Sequence, residues 1–278
     1  VTDRRKLWSN GRVAHFSLKG QVEGVEFVKG QLRRVAVPVI DLLRSPDGSR
    51  DRQLLYGQDV FVLEDRDGWS FVVAGPLDYV GYVKSDLLTN CDRPTHWVTA
   101  RSTHLYSKPD FKSAELLMLT FGASLTIAGS SDRFYATPDG YVPKVHVGHV
   151  IGTFKDPLEV AELHLGTPYL WGGDSVLGID CSGLVQIGCR VCGIECPGDS
   201  DMQEAELGEH LPEDAPLQRG DLLFWKGHVA WVADPDTLIH ANAFHMATAY
   251  EPLQDAIKRI EAQGDGPVTA RKRLGEIT

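Results

Sequence analysis

The chain reads as an α+β protein in which two small all-β units precede a mixed α+β domain. Three observations predict this. Residues 1–150 are short β-like runs separated by Gly, Asp and Pro turn signals, the pattern of small barrels or sandwiches. One pattern within them occurs twice. From residue 151 the signals change to helices followed by strands, as in an α+β domain.

The β-like runs are RRVAVPVIDLL, DVFVLED, WSFVVAG, YVGYVKSDLL, SLTIAG and GYVPKV, with SPDGSRD, DRDG, GPLD, SSDRF and TPDG between them. The repeated pattern is turn, aromatic, alternating strand, Gly-Tyr-Val. It occurs at Asp67–Val83 and more loosely at Asp132–Val142, and the segments upstream of each copy also resemble one another. Two copies of a unit of about 60 residues follow, with the junction at Cys91–Thr95. The boundaries expected are 1–91, 92–150 and 151–278.

In the last part, Asp156 is a candidate N-cap, Pro157 sits at N1, and Glu159 completes a D-x-x-E box. Leu158, Ala161 and Leu165 form one face, and Gly166 ends the helix. A second helix is expected from about Cys181 to Cys192. Strands are expected at Leu222–Trp225, His228–Ala233 and Leu238–Ala243, and a last helix over about Pro252–Ala262 stops at Gly264.

Composition narrows the function. The 278 residues are 42 % hydrophobic and 24 % charged, ordinary globular values. No apolar run approaches the roughly 18 residues of a membrane helix, so no span is expected. Net charge is −10 and no basic stripe with interleaved aromatics occurs, which argues against nucleic acid as a partner. The start, VTDRRKLWSNGRV, has no apolar leader-like core. The five cysteines (Cys91, Cys181, Cys189, Cys192 and Cys196) are odd in number and clustered, unlike a secreted disulfide framework. A monomer is expected, and a cytoplasmic location, or a periplasmic or extracellular one if a leader was removed.

The densest chemistry lies in Gly166–Gln186, GTPYLWGGDSVLGIDCSGLVQ. Gly172, Gly173 and Gly178 suit a tight loop with positive φ. Asp180 is a natural N-cap, which puts Cys181 in the first helical turn beside unpaired N–H groups and the positive end of the helix dipole. With an imidazole nearby, such a site lowers a thiol pKa from about 8.5 by several units. An acidic, nucleophilic thiol is therefore expected at Cys181. Val185, Gly188, Cys189 and Cys192 share one helix face and read as core packing. Cys189, Cys192 and Cys196 could instead suggest zinc, but no second paired motif accompanies them, and neither metal nor cofactor is expected.

A cysteine nucleophile needs a base. His228 opens a strand after the Lys226-Gly227 turn, and His240 follows twelve residues later. A three-residue loop at Asp234–Asp236 pairs Ala230 with His240. Both imidazoles then share a face, with His228 diagonal to His240, about 7–8 Å apart at Cα. The other histidines, His245 included, read as ordinary surface or core residues.

Tyr-x-Trp-Gly-Gly (169–173), Asp-Cys-Ser-Gly-Leu (180–184), Gly-Asp-Leu-x-Phe-Trp (220–225), Gly-His-Val (227–229) and Leu-Ile-His-Ala (238–241) together resemble the NlpC-type papain-like cell-wall peptidases. The resemblance runs from Ala161 to Leu274. It implies a papain-like domain, with helices packed on an antiparallel sheet, that hydrolyses peptidoglycan peptides. The nucleophile, base and orienting histidine map onto Cys181, His228 and His240, and Tyr169, Trp171, Asp180 and Ser182 would shape the pocket. The front half is similar to the bacterial SH3-like barrels that often precede this domain. With CPGDSDMQ at Cys196–Gln203, the combination resembles the branch that cuts γ-D-glutamyl–L-diamino acid bonds in murein peptides with a free N-terminal L-alanine. In that branch the amine is met at positions matching Asp199, Ser200, Tyr79 and Gln58. Gly198 stands where Arg is frequent. Gln58 stands where Glu is usual, so one negative charge for the amine is missing. The rival readings are an amidase or acyltransferase with the same triad, a wall-binding module with weak catalysis, and a zinc protein.

Overall fold

Turn chemistry organises the front half. Between Arg66 and Trp69, Asp67 and Gly68 take φ of 52° and 78°, the two-residue hairpin that Asp-Gly favours. In the computed structural model the described residues are 3–75, 79–90, 93–149 and 154–275. Cys91 and Asp92 of the expected junction lie outside them, as do residues 150–153 at the second expected boundary. The chain divides into two compact units, Val1–Gly148 and His149–Thr278.

The first unit begins with a parallel pair, Val13–His15 and Glu26–Val28, that the sequence reading missed. A seven-stranded antiparallel sheet follows, in the order Arg50–Leu55, Val39–Leu43, Tyr79–Lys84, Trp69–Ala74, Asp59–Arg66, Gln31–Val35, Leu88–Thr89. Alternation sets its faces: Ile40 and Leu42 point inward and Asp41 outward. They join Val35, Leu54, Val60, Val62, Val72, Tyr79 and Val83 in one core.

A five-stranded sheet occupies much of residues 93–149, in the order Glu115–Thr120, Ser102–Tyr106, Gly140–Pro143, Phe134–Thr137, Gly129–Ser130. Taken in chain order, these five strands are arranged as are the first five of the larger sheet. The repeated sequence forms the matching hairpin each time, Trp69–Ala74 with Tyr79–Lys84 and Phe134–Thr137 with Gly140–Pro143. The first strand of each set of five, Val39–Leu43 and Ser102–Tyr106, carries a register shift, at Leu42/Leu43 and at Leu105/Tyr106. The second core, around Leu105, Leu119, Leu125 and Val142, also takes in Tyr56.

The second unit has a six-stranded antiparallel sheet, in the order Glu209–His210, Ala270–Arg273, Asp221–Trp225, His228–Asp234, Thr237–Asn242, Ala247–Pro252. Its helices are α1 (Pro157–Leu163), α2 (Cys181–Val191), α3 (Ser200–Glu206) and α4 (Leu253–Gln263). Asp156 caps α1 by accepting from Leu158 N, and Gly264 closes α4 at φ 96°. Helix α2 lies against His228–Asp234 and Thr237–Asn242. Leu253, Ala256 and Ile260 of α4 pack with Ala230, Val232 and Leu238 of the sheet.

Three expectations need correction here. α1 ends at Leu163 with His164 as C-cap, three residues before Gly166. α2 is buried at every position from Cys181 to Cys189, so it has no one-sided core stripe, and Cys192, assigned to that stripe, is half-exposed at the C-cap. Sequence reading also missed α3 and the strands Ala247–Pro252 and Ala270–Arg273, because these are short and polar and offer little hydrophobic periodicity.

Candidate active site

Asp180 builds the entry to α2. Its Oδ1 accepts from Gly183 N (2.7 Å) and Ser182 Oγ (3.0 Å), and its Oδ2 accepts from Gly172 N (2.8 Å). One carboxylate thus caps the helix and ties it to the glycine loop. Gly172 has the expected positive φ, 71°, but Gly173 and Gly178 do not. They are needed for close approach instead: a Cβ on Gly173 would lie 2.4 Å from the Gly178 carbonyl oxygen. Gly183 is likewise required, because its Cβ would meet Gly173 O at 2.6 Å.

Cys181 sits at the first position of α2, 6 % exposed. The backbone N–H groups of Val229, Ser182 and Cys181 itself act on its sulfur, so the strand that starts at His228 runs beside the thiol. Its charge state differs from the sequence expectation. Burial pushes the thiol up to about 12, the Asp180 carboxylate adds to the rise, and the N–H groups oppose it without prevailing. Removing a sulfur from water penalises its thiolate more than one helix terminus favours it. The resting thiol is protonated.

His228 and His240 share a face, with His228 Nε2 2.8 Å from His240 Nδ1. The hairpin achieves this by a route other than the expected three-residue loop. Asp234 pairs with Thr237 across the two residues Pro235 and Asp236, and a bulge between Val232 and Asp234 restores the register Val232–Leu238 and Trp231–Ile239. Desolvation, the neighbouring His240 and Arg259 push His228 down to about 3, against the pull of Glu251. Desolvation also lowers His240. Both rings are neutral at rest.

Two residues of this cluster escaped the sequence reading. Glu251 Oε2 lies 2.9 Å from His240 Nε2, and Arg259 engages both Glu251 oxygens, Nε to Oε1 and Nη2 to Oε2, each at 2.8 Å. Burial raises the Glu251 carboxyl, but the hydrogen bonds from Arg259 and His240 outweigh it and hold the group at about 2. The available signal was parity. His240 pairs with Ala249, so Glu251 lies two residues along on the same face. His240, His245 and Glu251 bring ligand atoms within 4.8 Å of one another, but the Arg259 guanidinium on Glu251 opposes a cation there.

Of the remaining expected site residues, Tyr169 is half-buried, and burial, the thiol and Asp180 all raise its hydroxyl pKa. Trp171 is 68 % exposed. Ser182 and Asp180 are buried and bonded to each other, which makes them framework for the thiol. Asp199 and Ser200 are half-buried at the start of α3, and Asp199 makes no side-chain cap bond. Gln203 Nε2 donates to Ser182 O (2.9 Å) and Pro197 O (3.0 Å), which fastens this segment to the start of α2. Tyr79 and Gln58 belong to the N-terminal unit and are buried there. The Gln58 amide accepts from Leu55 N (3.1 Å) and donates to Gly75 O (3.4 Å). Cys189 is buried and touches Cys196, and both are free thiols.

Residues 166–259 match the NlpC/P60 family, and residues 42–88 match the bacterial dipeptidyl-peptidase Sh3 domain. Dipeptidyl-peptidase 6 of Lysinibacillus sphaericus is 28 % identical over 68 % of this chain and 79 % of its own length. The gamma-D-glutamyl-L-lysine dipeptidyl-peptidase of Bacillus subtilis (strain 168) is 31 % identical over 62 % of this chain and 63 % of its own. An NlpC/P60 family protein from Bacillus cereus ATCC 10987 superposes with a TM-score of 0.73 at 21 % identity, over 89 % of this chain and all of that one, and so shares the fold. The chain thus carries an NlpC/P60 cysteine-peptidase domain at residues 166–259 and a bacterial Sh3 domain at residues 42–88 in front of it.

Proposed function

We propose that this peptidase hydrolyses the γ-D-glutamyl–L-diamino acid bond of peptidoglycan-derived peptides, with Cys181 as nucleophile, His228 as base and His240 as the residue that orients it. One observation carries the assignment of roles. A buried thiol at a helix start faces the strand that carries His228, and His228 is held at 2.8 Å by His240. The bond class rests on the names of the relatives, two of which are gamma-D-glutamyl-L-lysine dipeptidyl-peptidases.

With thiol and imidazole both neutral at rest, proton transfer accompanies attack. His228 takes the Cys181 proton as the sulfur adds to the γ-carbonyl of D-glutamate. Backbone N–H groups at the start of α2 meet the oxyanion; one such donor is typically worth about 2.7–4 kcal/mol. The imidazolium then protonates the leaving amine, a thioester remains, and water hydrolyses it with His228 again as base.

We further read the C-terminal unit as papain-like, the thiol on a helix and the base on a sheet, and the two β arrays as SH3-like copies over 1–91 and 92–150. The shared strand order supports the copies. A preference for peptides with a free N-terminal L-alanine fits Asp199 and Ser200, because a carboxylate and a hydroxyl suit an ammonium.

The test is mass spectrometry of digests of L-Ala-γ-D-Glu-diamino acid peptides, with free and with acetylated N-termini. Cleavage after D-glutamate, faster for the free amine, is expected. Cleavage elsewhere overturns the bond assignment, and equal rates overturn the amine preference.

A further inference from the structure

Both partners behind His240 are ionisable, and neither has a role in the chemistry above. His240 has a fully buried side chain, which leaves its two ring nitrogens the two partners already described and no route to water. Glu251 is ionised, so it only accepts hydrogen bonds. The proton between them must therefore sit on His240 Nε2. The ring is neutral, so its Nδ1 carries a lone pair and accepts. The only hydrogen available at 2.8 Å is on His228 Nε2, which must then donate. A neutral His228 protonated at Nε2 has a bare Nδ1.

Resting on the catalytic reading above, we propose that Glu251, clamped by Arg259, fixes the order of protons along His240 and His228 so that His228 offers Cys181 an unprotonated Nδ1. Glu251 and Arg259 are positioning residues. Arg259 has a second effect. It fixes both carboxylate oxygens, donates from Nη1 to Gln263 Oε1 (2.9 Å), and stacks over Phe244 at 4.5 Å. Its charge cancels that of Glu251. The pair thus orients the rings without drawing His228 into an imidazolium, a state that could not accept the thiol proton. The charged and titratable groups acting on the two rings are Glu251, Arg259 and His245, besides the rings themselves.

The test turns on Glu251→Gln. Arg259 retains the amide oxygen, so the NH₂ group faces His240 Nε2 and donates to it. The His240 proton moves to Nδ1, His228 Nε2 becomes an acceptor, and the His228 proton moves to Nδ1, where it blocks abstraction from the thiol. The kcat/KM of the protein should fall at least 100-fold; a comparable inversion in a serine-protease triad costs about 10⁴-fold. Adding Arg259→Met frees the amide to turn its oxygen toward His240, so E251Q/R259M should recover at least tenfold over E251Q. A purely structural role for the ion pair predicts the opposite, a double variant no better than the single.

The second readout needs no turnover. Ring ¹⁵N shifts should show a pyridine-type Nδ1 on His228 in the wild type and a pyrrole-type Nδ1 in E251Q. A protonated His228 Nδ1 in the wild type overturns the proposal even if no variant folds, and so does E251Q with more than a tenth of wild-type activity. If the shifts are as expected but Cys181→Ala still turns over, the catalytic reading fails and the proton order stands.

Discussion

The two ends of α2 carry the same residue type under similar burial and differ in what surrounds it. At the N-terminal end Cys181 faces backbone N–H groups and the strand that begins at His228. At the C-terminal end Cys189 faces Cys196, and Cys192 is half-exposed at the C-cap. Desolvation raises the thiol of Cys181 and of Cys192, and the neighbouring thiol of Cys196, with burial, raises Cys189. A low resting pKa therefore does not single out Cys181 among these thiols. What sets Cys181 apart is the set of backbone N–H groups around its sulfur and the neighbouring strand that carries His228, the base of the proposed mechanism.

The largest effect that would break this comparison is on turnover. Cys181→Ala should lower kcat by more than 100-fold with thermal unfolding little changed, because a lost nucleophile typically costs far more than that. Cys189→Ala should leave kcat within threefold while lowering stability by about 1 kcal/mol for the small cavity. Comparable losses of activity from both would erase the distinction between the two ends.

A pH series of urea unfolding sharpens it next. The folded pKa of His228 lies near 3, below its unfolded value of about 6.5. The unfolded chain then binds the proton more readily between those values. The histidine contribution is complete above pH 6.5 and is lost as pH falls toward 3. Stability should drop between pH 7 and pH 4 by at least about 1 kcal/mol, the value of roughly one pKa unit. His228→Asn should flatten that slope, and an unchanged slope would mean that His228 is not held neutral.

Asp180→Asn gives the smallest and most local effect. It keeps acceptor capacity at the helix cap but removes the charge beside the thiol. The alkylation–pH profile of Cys181 should move to lower pH, and that of Cys192 should not. Labelling by iodoacetamide, followed by peptide mass spectrometry, reads both sites in one sample. A shared shift would show that Asp180 acts on the whole helix.

Local physics made much of this legible in the sequence. Asp156 and Asp180 announce helix starts because a short side-chain oxygen is what an open N-terminus needs. Asp67-Gly68 announces a hairpin because both residues must take positive φ. The even separation of His228 and His240, joined by an antiparallel hairpin of odd net loop length, puts both rings on one face. The bulge that replaced the expected loop left that result intact, because parity depends on the net register and not on how the turn supplies it. Tertiary structure alone decided the rest. Gly173 and Gly183 are required by backbone brought close from elsewhere, which no local signal encodes. The hydrogen bonds of the Gln58 amide to Leu55 N and Gly75 O are fixed by how its own unit folds. Glu251 and Arg259 become one clamp only when α4 folds back beside its strand. The charge state of Cys181 reversed expectation for the same reason: a helix terminus is a property of the sequence, but the desolvation that outweighed it depends on everything packed around the sulfur.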